Sequence, residues 1–195
     1  NTLFCGHDSG TFIINNTSSD LIYNKQGAWK FCMVPSNKNL LLQGNYNGIS
    51  VLEKVNNNWI FKNKIAGFDN SSKHFELTNT NEIYVSHEYK GGFRLQLDAK
   101  LLKTKPFYTY QSPKKGKNAS LTKFNNTIYY AYKEGIFRLN IKTKQFEKDK
   151  LLSSVFEKDE YKNKGYDIGG IEYITKPIDN HLLTSKLKIY IDVYD

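Results

Sequence analysis

The sequence predicts an all-β chain: a β-propeller or partial propeller, with about four to five blades of four antiparallel strands. Three observations carry that expectation. One hairpin pattern recurs. It is clearest at residues 128–141 (IYYAYKEGIFRLNI), where aromatic and β-branched residues flank a tight Glu134-Gly135 turn, a strong short-range hairpin signal. The same pattern stands at residues 83–97 (IYVSHEYKGGFRLQL), 40–52 (LLLQGNYNGISVL) and 3–14 (LFCGHDSGTFII). Anchored on Gly10, Gly48, Gly92 and Gly135, the copies lie about 38, 44 and 43 residues apart, close to the ~40–50-residue period of propeller blades. Composition agrees, with 14 Tyr and 12 Phe against 4 Pro, since aromatic and β-branched residues favour sheet over helix. A chain of 195 residues buries a real core as one domain.

In chain order, the first unit (residues 1–27) holds the hairpin LFCG/GTFII, a polar loop at 15–20, a weak strand at 21–23 and a turn at Lys25-Gln26-Gly27. The second (28–71) opens on AWKFCMV, apolar enough for a strand buried on both faces, then turns at 35–39. Its hairpin and an outer strand at 59–62 follow. The third (72–118) has a first strand KHFEL, a turn at 78–82, the hairpin and an outer strand near 107–110. The fourth (119–166) has a strand at 120–124, a turn at Asn125-Asn126-Thr127, the hairpin and an outer strand near 145–147. A four-strand meander repeated in this way is a blade. One blade cannot bury both its faces, so it stacks on its neighbours.

The end of the chain fits the scheme less closely. A fifth, partial unit (167–195) offers GGIEYI and residues 181–184 as strands, lacks the Gly turn at Ser185-Lys186-Leu187, and closes on the alternating LKIYIDVY. The polar insertion EKDEYKNK (157–164) reads as an exposed loop or, at most, one helical turn. The first unit has no first strand of its own. Residues 169–174 could close a ring beside residues 3–6, leaving two strands over. The preferred reading is an open piece of a larger propeller, with exposed edges and self-association through them. The absence of a starting Met, almost directly before a strand, reads as an excised or processed piece.

The formal net charge of +9 raises the question of polyanion partners. The Lys residues are scattered along turns, and Lys and Asn are enriched everywhere. No groove of alternating basic and aromatic residues is evident, so no direct nucleic-acid partner is expected. No apolar run approaches the ~20 residues of a membrane helix, and no signal peptide is visible. Cys5 and Cys32 sit in apolar strand contexts and read as small buried hydrophobes, their pairing left open. No Cys/His spacing resembles a zinc site, so neither metal nor cofactor is expected. There is no nucleophile elbow, phosphate loop or HExxH.

The recurring strand–polar stretch–Gly–(Ile/Phe)-x-(Leu/Val) pattern of IYYAYKEGIFRLN, IYVSHEYKGGFRLQ and LLLQGNYNGISVL resembles the two-component regulator propeller repeat, with LFCGHDSGTFII a looser copy. The resemblance covers about residues 3–150. It implies a non-catalytic sensor domain on the periplasmic side of a membrane-anchored parent, which could be a histidine kinase or a helix-turn-helix regulator. It also implies a small-molecule ligand, often a glycan fragment. Membrane contact would come only through the parent.

A ligand is expected at the turns between second and third strands, because loops on one face of a rigid repeat scaffold form the usual binding surface. Those turns carry His7, Asp8, Tyr46, His87, Glu88, Tyr89, Tyr132 and Lys133. Aromatic faces stack on sugars, and imidazole and carboxylate groups give directional hydrogen bonds. The run Lys114-Lys115-Gly116-Lys117 is expected near the same face, as an attractor of acidic ligands or simply a solvated loop. Two alternatives stand beside the sensor reading. One is a polysaccharide-cleaving enzyme using Asp8, Glu88 or Glu134; the other is a purely structural protein-interaction propeller.

Overall fold

The computed structural model describes residues 2–105, 108–110, 119–132 and 134–157. Over these the chain is all-β, with one short helix. The first sheet has three strands, β1 (Leu3–His7), β2 (Gly10–Ile14) and β3 (Ser19–Tyr23). The second has four: β4 (Lys30–Val34), β5 (Asn37–Asn45), β6 (Gly48–Val55) and β7 (Asn58–Lys64). The third is β8 (His74–Leu77), β9 (Glu82–His87), β10 (Gly91–Gln96) and β11 (Tyr108–Tyr110). The fourth is β12 (Ser120–Phe124), β13 (Thr127–Tyr132), β14 (Gly135–Asn140) and β15 (Gln145–Lys148). Every sheet is an antiparallel meander in chain order, and among the described residues the first has no counterpart of the strand that β4, β8 and β12 supply elsewhere.

The sheets stack face to face in sequence. Successive residues of a strand point to opposite faces, and β5 uses this directly. Leu41, opposite Leu52, packs with Trp59, Phe4, Ile13 and Ile22 between the first and second sheets. Leu42, opposite Val51, packs with Ile49, Phe75, Ile83 and Val85 between the second and third. In β9, Ile83 and Val85 face the second sheet, while Tyr84 joins Leu121, Tyr130, Phe137 and Phe146 of the fourth. Middle sheets buried on both faces therefore read as apolar runs. The fourth, covered on one face among the described residues, alternates strictly along β13 (half-buried, then buried).

Polar links cross the same interfaces. Thr11 Oγ1 donates to Gln43 Oε1 (2.6 Å), Gln43 Nε2 to Asn45 Oδ1 (2.6 Å), and Asn45 Nδ2 to Ser50 Oγ (2.9 Å). Ser50 Oγ donates in turn to Tyr23 Oη (3.2 Å), returning the chain of bonds to the first sheet. Lys30 pairs with Glu76 at 2.5 Å between the second and third sheets, and Lys144 with Glu82 at 2.6 Å between the fourth and third. The segments leading into the second and third sheets press on a strand of the sheet before, β1 and β5 respectively. A Cβ on Gly6 would come within 2.1 Å of Ala28 O, and one on Gly44 within 2.0 Å of Ser72 O.

Five local expectations are corrected. Residues 28–34 are not buried on both faces: Lys30, Phe31 and Cys32 are half-buried and Met33 is exposed. Phe31 packs toward the first sheet and Cys32 toward the third, each only partly covered. The third hairpin turns on Gly91, which faces His87 across the pair, not on Gly92. The β12–β13 turn is Asn125-Asn126 alone, both at positive φ, and Thr127 already belongs to the strand. Cys5 is exposed; it and Cys32 are both free.

The last correction is a helix, α1 (Lys150–Glu157), where no helix was expected before residue 157. Asp149 caps it, its Oδ1 accepting from Leu152 N–H (3.1 Å). The buried Ser153 Oγ both accepts from Ile136 N–H and donates to Ile136 O, each at 3.0 Å, docking the helix on β14. The expected strands at 169–174, 181–184 and 187–194, the loop 158–164 and the Lys114-Lys115-Gly116-Lys117 run lie outside the described residues.

A candidate binding surface at the hairpin turns

The four expected turns are equivalent in the structure. Each is closed by a residue facing a positive-φ glycine: His7 and Gly10, Asn45 and Gly48, His87 and Gly91, Tyr132 and Gly135. In the first, second and fourth sheets the turn shares an end with the segment that leaves the outer strand. At Gly48 (φ +101°) a Cβ would meet Phe68 O at 2.2 Å, and at Gly135 the neighbour is Ser153 Oγ. Only glycine satisfies both the left-handed backbone and that approach.

Two turns hold an imidazole in the same way. His7 Nδ1 lies 3.0 Å from Ser9 N–H, which donates to it, and 3.1 Å from Ser9 Oγ. His87 Nδ1 accepts from Tyr89 N–H (3.2 Å) and Lys90 N–H (3.3 Å). A ring nitrogen that accepts from amides carries no proton, so each neutral ring keeps its N–H on Nε2. Burial lowers the His87 pKa, Lys90 adds to that, and Glu88 opposes it. Near neutral pH the His87 ring is therefore an uncharged donor.

The aromatic groups differ from one another. Tyr46 is 45% exposed, with one flank against Gly27 and edge-on to Trp29 at 4.3 Å. Tyr89 is 67% exposed and edge-on to His87 at 6.3 Å. Tyr132, expected as a stacking platform, is corrected: it is 6% exposed within the core against the third sheet. The inward phase of β13, shared with Ile128 and Tyr130, puts its ring there. Lys133 lies outside the described residues. Asp8 and Glu134 are exposed and Glu88 half-buried, each without a hydrogen bond or ion pair among the described residues. These carboxylates ride on turns of three different sheets.

The turns are tied together through the connecting segments. Trp29 joins the turn of the second sheet to the lead-in from the first. Lys90 Nζ, donating to Asn70 Oδ1 at 2.6 Å, does the same between the third and second. Trp29 and Asn70 were not foreseen. The available signal was their place in the segments leading to the next sheet, which share this end. Among the described residues no cluster of His, Cys, Asp and Glu suits a metal ion, and no helix is long and apolar enough to cross a membrane. A cleft of about 460 Å³ lies at the opposite end, between the third and fourth sheets.

No protein-family model matches the chain, and no curated protein matches it in sequence. Among solved structures the chain is similar to an auxiliary nutrient binding protein from Bacteroides thetaiotaomicron, with a TM-score of 0.53 over 76% of this chain at 17% identity. The match covers 38% of that protein, so the chain spans well under half its length. At this identity the likeness is one of fold.

Proposed function

We propose that the chain is a non-catalytic ligand-binding domain, built as consecutive blades of a β-propeller, that holds a small molecule or oligosaccharide on its hairpin-turn face. The observation that carries this reading is the shared construction of the His7 and His87 turns. Each fixes its ring tautomer through backbone amides, beside carboxylates (exposed Asp8, half-buried Glu88) that make no hydrogen bond or ion pair among the described residues, and, at His87, beside the exposed ring of Tyr89. Preset donors and unpaired acceptors on a rigid scaffold suit a hydroxyl-rich ligand. The propeller reading is supported by the order of the meanders and by the contact of successive first strands, β4 with β8 and β8 with β12. The nutrient-binding description of the similar structure agrees with a ligand-binding role. The repeat resemblance extends the proposal to a periplasmic sensor domain of a two-component or helix-turn-helix regulator.

The test is a thermal-shift and calorimetric screen of the purified chain against oligosaccharides and small nutrients. His7→Ala/Asp8→Ala and His87→Ala/Tyr89→Ala variants are run in parallel. We expect at least one ligand, bound about tenfold or more weakly by both double variants, a loss of about 1.4 kcal/mol. A silent panel, or variants that bind as the parent does, would overturn the proposal.

A further inference from the structure

We infer that the cleft between the third and fourth sheets is a second ligand site, specific for a carboxylate-bearing saccharide. It lies at the β8–β9 and β12–β13 turns, the end of the strands away from the hairpin turns. Lys123 and Arg138 both line it, and no carboxylate does. The acids nearby are already engaged: Glu82 by Lys144 at 2.6 Å, and Glu147 by Asn140 Nδ2 at 2.8 Å. The cleft is therefore a cationic concavity, and an anion entering it meets no competing negative charge on its lining.

The two cations play different parts. Lys123 Nζ is fixed by donating to Leu77 O at 3.0 Å, which leaves two of its protons for a ligand. Arg138 is exposed and makes no hydrogen bond or ion pair among the described residues. Its planar fork matches a carboxylate bidentately. The remaining lining selects the rest of the ligand. Asn79 and Asn126 present amides that are likewise unbonded among the described residues. Asn126 is held at φ +59° in its turn. Such groups suit vicinal hydroxyls. Leu139 and the 57%-exposed Ile141 offer an apolar strip for the C–H face of a sugar ring. The volume of about 460 Å³ lies within the range of small-molecule sites, ~300–1,000 Å³.

The test is titration of the chain with D-glucuronate, D-glucose and inorganic phosphate, by calorimetry and ligand-observed NMR. The parent is compared with Arg138→Gln, Lys123→Met and the turn-face variant His87→Ala/Tyr89→Ala. The expected result is saturable glucuronate binding that weakens about tenfold or more in Arg138→Gln, falls with added salt, and is unchanged in the turn-face variant. Arg138 is exposed, so its variant should stay folded even if Lys123→Met does not. Glucose binding as tight as glucuronate, phosphate binding as tight as glucuronate, an unaffected Arg138→Gln, or no glucuronate binding would each overturn the inference. Its failure leaves the hairpin-turn proposal standing, and the reverse holds, because the two variants fall at opposite ends of the sheets.

Discussion

Gln43 is fully buried, and its amide accepts from Thr11 on one sheet while donating to Asn45 on its own. Replacing it with Ala strands both partners away from water, which costs ~1–3 kcal/mol. Urea unfolding of Gln43→Ala should show a lower midpoint by that amount, with an unchanged slope. His74 gives a pH signature. Burial first, then Lys73 and Lys30, lower its pKa to about 4. The unfolded chain titrates this ring near 6.5 and so binds more protons than the folded one between those values. Stability should therefore drop as pH falls from about 6.5 toward 4, with His87 acting in the same direction. His74→Phe should flatten the thermal-midpoint profile in that window. Residue-level roles were the least legible part of the sequence. Tyr46, Tyr89 and Tyr132 all lie near a turn glycine, yet the first two stand in the turn itself, past the strand end, while Tyr132 is the inward-facing last residue of β13. Gln43 carries no local signal of its role, because its partner Thr11 lies in another unit.

The hairpin is the element that local chemistry specifies best. Its flanking residues and its glycine agree, and all four copies form. Gly48→Ala should lower the thermal midpoint, because the new Cβ needs both a left-handed backbone and the space held by Phe68 O. The loss should exceed the ~1 kcal/mol cost of ordinary backbone strain. Where the sequence misled, a competing signal was stronger locally. Gly91-Gly92 offers two glycines, and the extra turn residue decides for the first. The α1 helix was hidden because its start, Asp149, stands in a charged stretch that resembles a loop. Its anchor Ser153 is visible only once β14 is placed beside it.

At the scale of the molecule, apolar runs such as Leu40-Leu41-Leu42 record a sheet covered on both sides. Leu42→Ala removes a fully buried side chain between the second and third sheets and should cost ~2–5 kcal/mol, readable by denaturant unfolding. The outer end of the stack is different. The free edge of β1 carries no paired strand among the described residues, and Leu3 and Leu21 are 64% and 52% exposed. Unpaired edges recruit strands. Light scattering should show association that grows with concentration and weakens in Leu3→Lys.

That same margin holds a thiol. Cys5 is exposed on β1, whereas burial raises the pKa of half-buried Cys32 and depletes its reactive thiolate. A maleimide should label position 5 first. Another copy or a further stretch of polypeptide that pairs along β1 would lie beside that sulfur, so a slower labelling rate would report that this margin is covered.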